Sequence, residues 1–301
     1  MQQPVPQLRR WMGGLMLVLL HAACGLDQKG MVLLTDTNYR ASILSTNHDG
    51  ITVPDGLLWH KGQLFLADEG GAALRVWTHD AGVKTLSEAS LGLQSPEDVV
   101  RDAAGNLFFT DDDAGGVWQR DTNGKTFQLA GKAQGLVSTE AIAIAPSGEI
   151  LVGDGVKRQV FSVSRTGEVT VYLNSGYGIR KPESMVFDDA GNLYIADNEE
   201  DIVYLLTPET KLQRLLEKRE GFSPETLWYA HGTLFITDST NGKLLRYTPE
   251  EGLRTIAVFG GKLATVNGIT MDEQENIYVS IQTNLKRKVG YIVKLEREPQ
   301  P

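Results

Sequence analysis

One short pattern recurs six times at a nearly constant interval: VPDGLLW at 53–59, SPEDVV at 95–100, STEAIAI at 138–144, KPESMVF at 181–187, SPETLWY at 223–229 and VNGITM at 266–271. Each copy places one polar residue just ahead of an apolar run. These markers are Asp55, Glu97, Glu140, Glu183, Glu225 and Asn267, separated by 42, 43, 43, 42 and 42 residues. A period of this size specifies a propeller or a solenoid, because a unit this short cannot bury its own apolar face and must stack on its neighbours.

Strand signals inside the repeat decide between the two. After the marker run comes a turn (HKGQ 60–63, AAGN 103–106, PSGE 146–149, DAGN 189–192, HGTL 231–234), where glycine supplies the backbone freedom a tight hairpin needs. In the sixth copy Glu275-Asn276 stands there, with Asn276 expected in the glycine's role. A second apolar run follows, closing on aspartate in five copies: LFLAD, LFFTD, ILVGD, LYIAD and LFITD, with IYVSI in the sixth. Two further short runs complete a four-stranded unit, as in QVFSV 159–163 and EVTVYL 168–173. No sustained helical period follows residue 30. The fold class is therefore all-β, a six-bladed β-propeller of four-stranded blades. The sixth copy ends after its third strand, YIVKL at 291–295, whereas Ala41–Thr46 lies at the outer-strand distance before Asp55. The N-terminal segment is expected to supply the missing strand and close the ring. MVLLT at 31–35 reads either as an extra strand or as a tether.

The first residues belong to a different class. Arg9 and Arg10 precede WMGGLMLVLL at 11–20, an apolar stretch of signal-peptide length. LHAACG then resembles a bacterial lipobox, with His21 at the position where leucine is usual, and Cys24 is the chain's only cysteine. The expected layout is a signal peptide over 1–23, lipidation at Cys24, a tether over 24–39 and the propeller over 40–301. The expected location is the bacterial cell envelope, with Gly25 directing the chain to the outer membrane, facing the periplasm. Membrane contact would run through the lipid alone, and a monomer is expected. The net charge of −9, which becomes −11 once residues 1–23 are removed, excludes nucleic acid as a partner.

Chemistry is expected at the markers. In a propeller the first strand of each blade lines the central channel, so Asp55, Glu97, Glu140, Glu183 and Glu225, with Asn267, converge on one mouth. Unit charges about 7 Å apart repel by roughly 0.6–2.4 kcal/mol between effective dielectric constants of about 80 and 20, so such a ring calls for protons, cations or splayed side chains. Oxygen-only ligands favour a hard divalent cation, Ca²⁺ first, with Mg²⁺ and Mn²⁺ as alternatives. The other reading is that the markers cap strand starts. The aspartates closing the second strands, Asp68, Asp111, Asp154, Asp197 and Asp238, read as acceptors for turn amides. Asp111-Asp112-Asp113 and Glu199-Glu200-Asp201 read as a solvated acidic rim. Tyr177, Arg180, Lys181, Lys157 and Arg158 are the positively charged and aromatic groups expected near that face, and His48 is the histidine placed to approach it.

The PEx or PxG entry to the first strand, together with D-x-x-G-N-L-Y-x-A-D, resembles the NHL-repeat and senescence-marker-protein/gluconolactonase-like propellers, a group that includes calcium-dependent phosphotriesterases and paraoxonases. The resemblance covers about residues 40–296. It implies one divalent cation at the channel mouth, and Asp55, Glu140, Glu183, Glu225 and Asn267 fall where such ligands fall. This ring is more acidic than the family's mixed Asn and acid set. Two readings stay open, with a third, an elimination enzyme like the Mg²⁺-using streptogramin lyases, ranked behind them because it calls for a catalytic histidine. One is a metal-dependent hydrolase of lactones or esters, with Glu183 or Glu225 as general base acting on a small-molecule substrate. The other is a non-catalytic NHL-like propeller that binds an envelope protein or carbohydrate.

Overall fold

A computed structural model of the 301-residue chain describes residues 17–18, 32–209, 211–217, 222–260, 264–283 and 289–298. Cys24 and the expected cleavage site lie outside the described residues.

Six antiparallel sheets form the blades of a ring. The innermost strands are Pro54–His60, Pro96–Arg101, Thr139–Ile144, Pro182–Phe187, Pro224–Ala230 and Ala264–Met271, and they pack in order, the sixth against the first. The second strands, among them Ile150–Asp154 and Leu193–Asp197, are buried on both sides, which explains why they read as continuous apolar runs. In Ile150–Asp154, Ile150 and Val152 pack towards blade two with Phe108 and Ile142, whereas Leu151 packs towards blade four with Met185 and Ile195. The two-residue period of a strand thus supplies two neighbouring interfaces from one segment.

Closure follows the expectation. Tyr39–Thr46 pairs antiparallel with Gly290–Arg297 as the outer strand of blade six, with Val293 opposite Ile43 and Leu295 opposite Ala41. Val32–Leu34 is a strand, added outside Gly252–Phe259 as a fifth strand of blade five, and Leu17–Val18 pairs beyond it. In the blade-six hairpin the left-handed residue is Glu275, at φ 61°, rather than Asn276, whose backbone N–H and side chain both bond to Asp272.

The aspartates that close the second strands are structural. Each is buried and accepts backbone N–H groups from the loop entering its own blade: Asp68 from Thr52 and Val53, Asp111 from Gln94 and Ser95, Asp154 from Val137, Asp197 from Arg180 and Lys181. Several also accept from the turn that follows, as Asp197 does from Glu200. These carboxylates rivet the entry loop to the sheet, so the marker two residues further on starts from a fixed position. Asp111 is fully buried, which removes it from the expected solvated rim. Replacing Asp197 with alanine leaves three part-buried N–H groups without their acceptor and is expected to cost about 2–4 kcal/mol. Urea denaturation with an unchanged m-value checks this, and a cost below about 1 kcal/mol would mean water replaces the carboxylate freely.

Candidate metal centre

Every innermost strand carries a β-bulge at its marker. In blade one Pro54 lies opposite Asp68 and Leu57 opposite Leu66, so Asp55 and Gly56 face one partner residue; equivalent shifts occur at Glu97, Glu140, Glu183, Glu225 and Asn267. A bulge takes its residue out of the regular alternation and re-aims the side chain. Here it turns the marker towards the channel. The backbone amides freed by the bulge are bonded by hydroxyls of the second strand. Thr110 Oγ1 accepts from Asp98 N–H and donates to Glu140 O at 2.6 Å, and Thr237 does the same between Thr226 and Asn267. Neighbouring blades approach so closely that a Cβ on Gly268 would lie 2.2 Å from Asp55 O.

The structure gathers Asp55, Glu97, Glu140, Glu183 and Glu225 around one cavity at the channel mouth, joined by Gly56, Asp98 and Thr226. The cavity volume is about 10 Å³, room for one guest the size of a water molecule or a bare cation. Asn267 is not in its lining; it is buried, and its Nδ2 donates to Pro54 O at 3.5 Å. Three more side chains belong to the site. Asp98, directly after its marker, accepts from Val99 N–H and Ile142 N–H. Asp112, expected on the solvated rim, instead brings a carboxylate oxygen within 4.8 Å of oxygens from Glu97 and Glu140. Asn198 donates to Glu225 Oε2 at 3.2 Å. The sequence held a signal for each. Five blades have a small or uncharged residue after the marker (Gly56, Ala141, Ser184, Thr226, Gly268), and only blade two has an acid, Asp98. The position after the second-strand aspartate is the one that reaches the next blade's marker, and it carries Asp112 and Asn198.

Hydroxyls and one ammonium hold these carboxylates. Ser95 donates to Glu97 Oε1 at 3.0 Å, and Ser138 donates to Asp112 and, at 3.5 Å, to Glu140. Lys181 Nζ stands 2.5 Å from Glu183 Oε1 and 3.4 Å from Glu140 Oε1. Of the other cations expected near this face, Arg158 pairs with Glu199 and Arg180 with Glu200 at the rim, and Lys157 is exposed. His48 is exposed, and no histidine lines the cavity among the described residues.

Burial, and then the neighbouring carboxylates, push the acids' pKa values up. Glu140 rises to about 8 and Glu183 to about 7; Asp55 and Glu97 stand well above the usual carboxylate range, and Glu225 is raised. Asp98 reaches about 7 from burial, against the pull of its two N–H bonds. Burial works to lower the Lys181 pKa, but Glu183 and Glu140 outweigh it and hold the ammonium charged. Such a ring keeps its protons until a positive charge is supplied, which a bound cation would do. The donor set fits a hard cation. Every ligand atom is oxygen, and a spacing of up to 4.8 Å among Glu97, Asp112 and Glu140 matches oxygens sharing one Ca²⁺ at about 2.3–2.6 Å each.

Fold and site together define a six-bladed propeller with an acidic, cation-sized channel mouth. No family model matches the chain, and no curated protein does. Among solved structures it is similar to a gluconolactonase from Xanthomonas campestris, with a TM-score of 0.68 at 16% identity, over 89% of this chain and 90% of that one. It is also similar to the calcium-binding protein regucalcin from Agrobacterium tumefaciens, with a TM-score of 0.66 at 14% identity over 87% and 97% of the two chains. Virginiamycin B lyase from Staphylococcus aureus gives 0.62 at 12% identity over 87% and 90%. At these identities the likeness speaks for the fold.

Proposed function

We propose that the protein is a divalent-cation-dependent hydrolase of lactones or esters, exported and held at the cell envelope by a lipid on Cys24. The observation that carries the reading is the convergence of five marker carboxylates, with Asp98 and Asp112 beside them, on a cavity that admits a single ion. Glu97, Asp112 and Glu140 are the residues that would hold the cation, with Asp55 next to them, and Ca²⁺ is the ion their oxygens suit best. Bound there, the cation would polarise a carbonyl and acidify a water. Glu225, oriented by Asn198, and Glu183, beside Lys181, would act as the base, since their raised pKa values bring them closer to neutrality. The gluconolactonase neighbour supports the lactone chemistry, and the calcium-binding regucalcin neighbour supports the choice of ion.

The test is turnover of γ- and δ-lactones and aryl esters by the chelator-stripped protein, with and without Ca²⁺, Mg²⁺ and Mn²⁺. Cation-dependent turnover is expected, falling by about 100-fold or more in Glu183→Gln or Glu225→Gln. Full activity in both variants would sink the assignment of the base. The second reading, a binding propeller with a structural cation, is favoured by the cavity size: about 10 Å³ leaves no enclosed room for a substrate, which would have to lie on the rim above the ion. Cation binding without turnover of any of these substrates would select it.

A further inference from the structure

Lys181 departs from the repeat, and so does the residue it lies across. Two positions before the marker the other blades carry Val53, Ser95, Ser138, Ser223 and Thr265, and in blade four the position holds Lys181. The residue after the second-strand aspartate is Glu69, Asp112, Asn198, Ser239 or Gln282 elsewhere, and Gly155 in blade three. The two departures meet. A Cβ built on Gly155 would lie 3.0 Å from Lys181 Cγ, 3.4 Å from its Cε and 3.6 Å from Glu140 Oε1. Gly155 therefore leaves the groove along which the lysine chain runs into the channel mouth. The lysine's own N–H is fixed by Asp197 Oδ1 at 3.1 Å.

We propose that the Lys181 ammonium is a tethered counter-ion that takes the place of a second divalent cation and fixes the channel mouth as a one-cation site. The proposal rests on the cation-binding reading above. Glu183 and Glu140, the carboxylates Lys181 faces, have side chains only 6% and 7% exposed, so their charge is answered inside the protein rather than by solvent. Lys181 Nζ, 2.5 Å away, is the group that meets the buried Glu183 Oε1, which has no other hydrogen-bond partner among the described residues. The ammonium answers that oxygen with a full charge at short range. Glu140 faces Lys181 on one side and Glu97 with Asp112 on the other, so the ammonium serves one half of the ring and leaves the other half for the divalent ion. Serine hydroxyls at the equivalent position, Ser95 and Ser138, hold their carboxylates without neutralising them.

Calorimetric titration of the chelator-stripped full chain with Ca²⁺ tests this, with melting temperature followed in parallel. Wild type and Lys181→Arg are expected to take up one equivalent. Lys181→Met is expected to take up a second, or to bind the first about 10-fold more tightly, and to gain more in melting temperature from Ca²⁺ than wild type does. Gly155→Ala, which displaces the lysine chain while keeping its charge, is expected to move the same way by a smaller factor and keeps the test open if Lys181→Met does not fold without the cation. Equal stoichiometry and affinity in wild type, Lys181→Met and Gly155→Ala overturn the counter-ion role and leave the one-cation site standing. Uptake by the variants alone overturns the one-cation site, since lysine would then fill the sole site, and it also removes the cation from the proposed activity. No uptake by any of them overturns both readings.

Discussion

Stripped of divalent cations, the protein is expected to melt about 5–10 °C lower at pH 8 than at pH 5, and about 1 mM Ca²⁺ is expected to recover most of that loss at pH 8 while changing little at pH 5. In the unfolded chain the ring acids titrate in the ordinary carboxylate range. In the folded chain burial raises Glu140 to about 8 and Glu183 and Asp98 to about 7. Between those limits the folded state binds more protons than the unfolded one, so stability is fully present below the ordinary carboxylate values and drains away as pH rises through 7 to 8. Each pKa unit corresponds to about 1.4 kcal/mol, and a kcal/mol moves the melting point of a domain this size by about 2–4 °C. The acids share charge with one another and with Lys181, so their contributions do not simply add. Calcium competes with protons for the same oxygens, and a ligand at about 100 times its Kd adds about 2.7 kcal/mol to stability. Thermal melts at pH 5 and 8, with chelator and with Ca²⁺, check both halves. A melting point that is level or rises with pH in chelator, and ignores Ca²⁺, would mean the ring ionises without penalty.

A chain beginning at Asn47 is expected to lose cooperative folding, or to melt at least about 15 °C lower than the full chain. Tyr39–Thr46 contributes a whole outer strand to blade six, in a ladder running from Tyr39 opposite Arg297 to Thr46 opposite Tyr291. Without it the strand Gly290–Arg297 becomes an open edge, and the buried Ala41 and Ser45 leave their positions. About seven ladder positions at roughly 1 kcal/mol each, with the apolar burial, amount to something on the order of the whole stability of an ordinary domain. The pairing also joins the two ends of the sequence, so its loss turns a closed ring into an open one. A chain beginning at Asn38 provides the comparison. It forfeits Val32–Leu34, the fifth strand of blade five, and leaves that blade its own four, so a smaller loss is expected. Circular dichroism melts and limited proteolysis of both truncations measure the difference, and a chain from Asn47 that melts like the full chain would refute the closure as the main fastener.

The ring itself is written in the chain, because a period near 42 residues with strand-type alternation has few ways to bury its apolar faces. The number of blades, the order of strands within them, the closing role of Ala41–Thr46 and the marker carboxylates are all read by laying one copy of the repeat over the next. What the tertiary structure alone decided is which side chains meet across blades. Asp112 belongs to blade two, yet faces Glu140 of blade three; Lys181 enters from blade four to stand between Glu140 and Glu183; Asn267 keeps the register of the repeat but spends its amide on Pro54 of blade one. The bulge at every marker is likewise invisible to a two-residue alternation, and it is the bulge that turns the carboxylates inward. Periodicity constrains one blade at a time, whereas the site also depends on contacts between blades, from Asn198 with Glu225, 27 residues apart, to Asn267 with Pro54, 213 apart, whose distances are set by the closing of the ring.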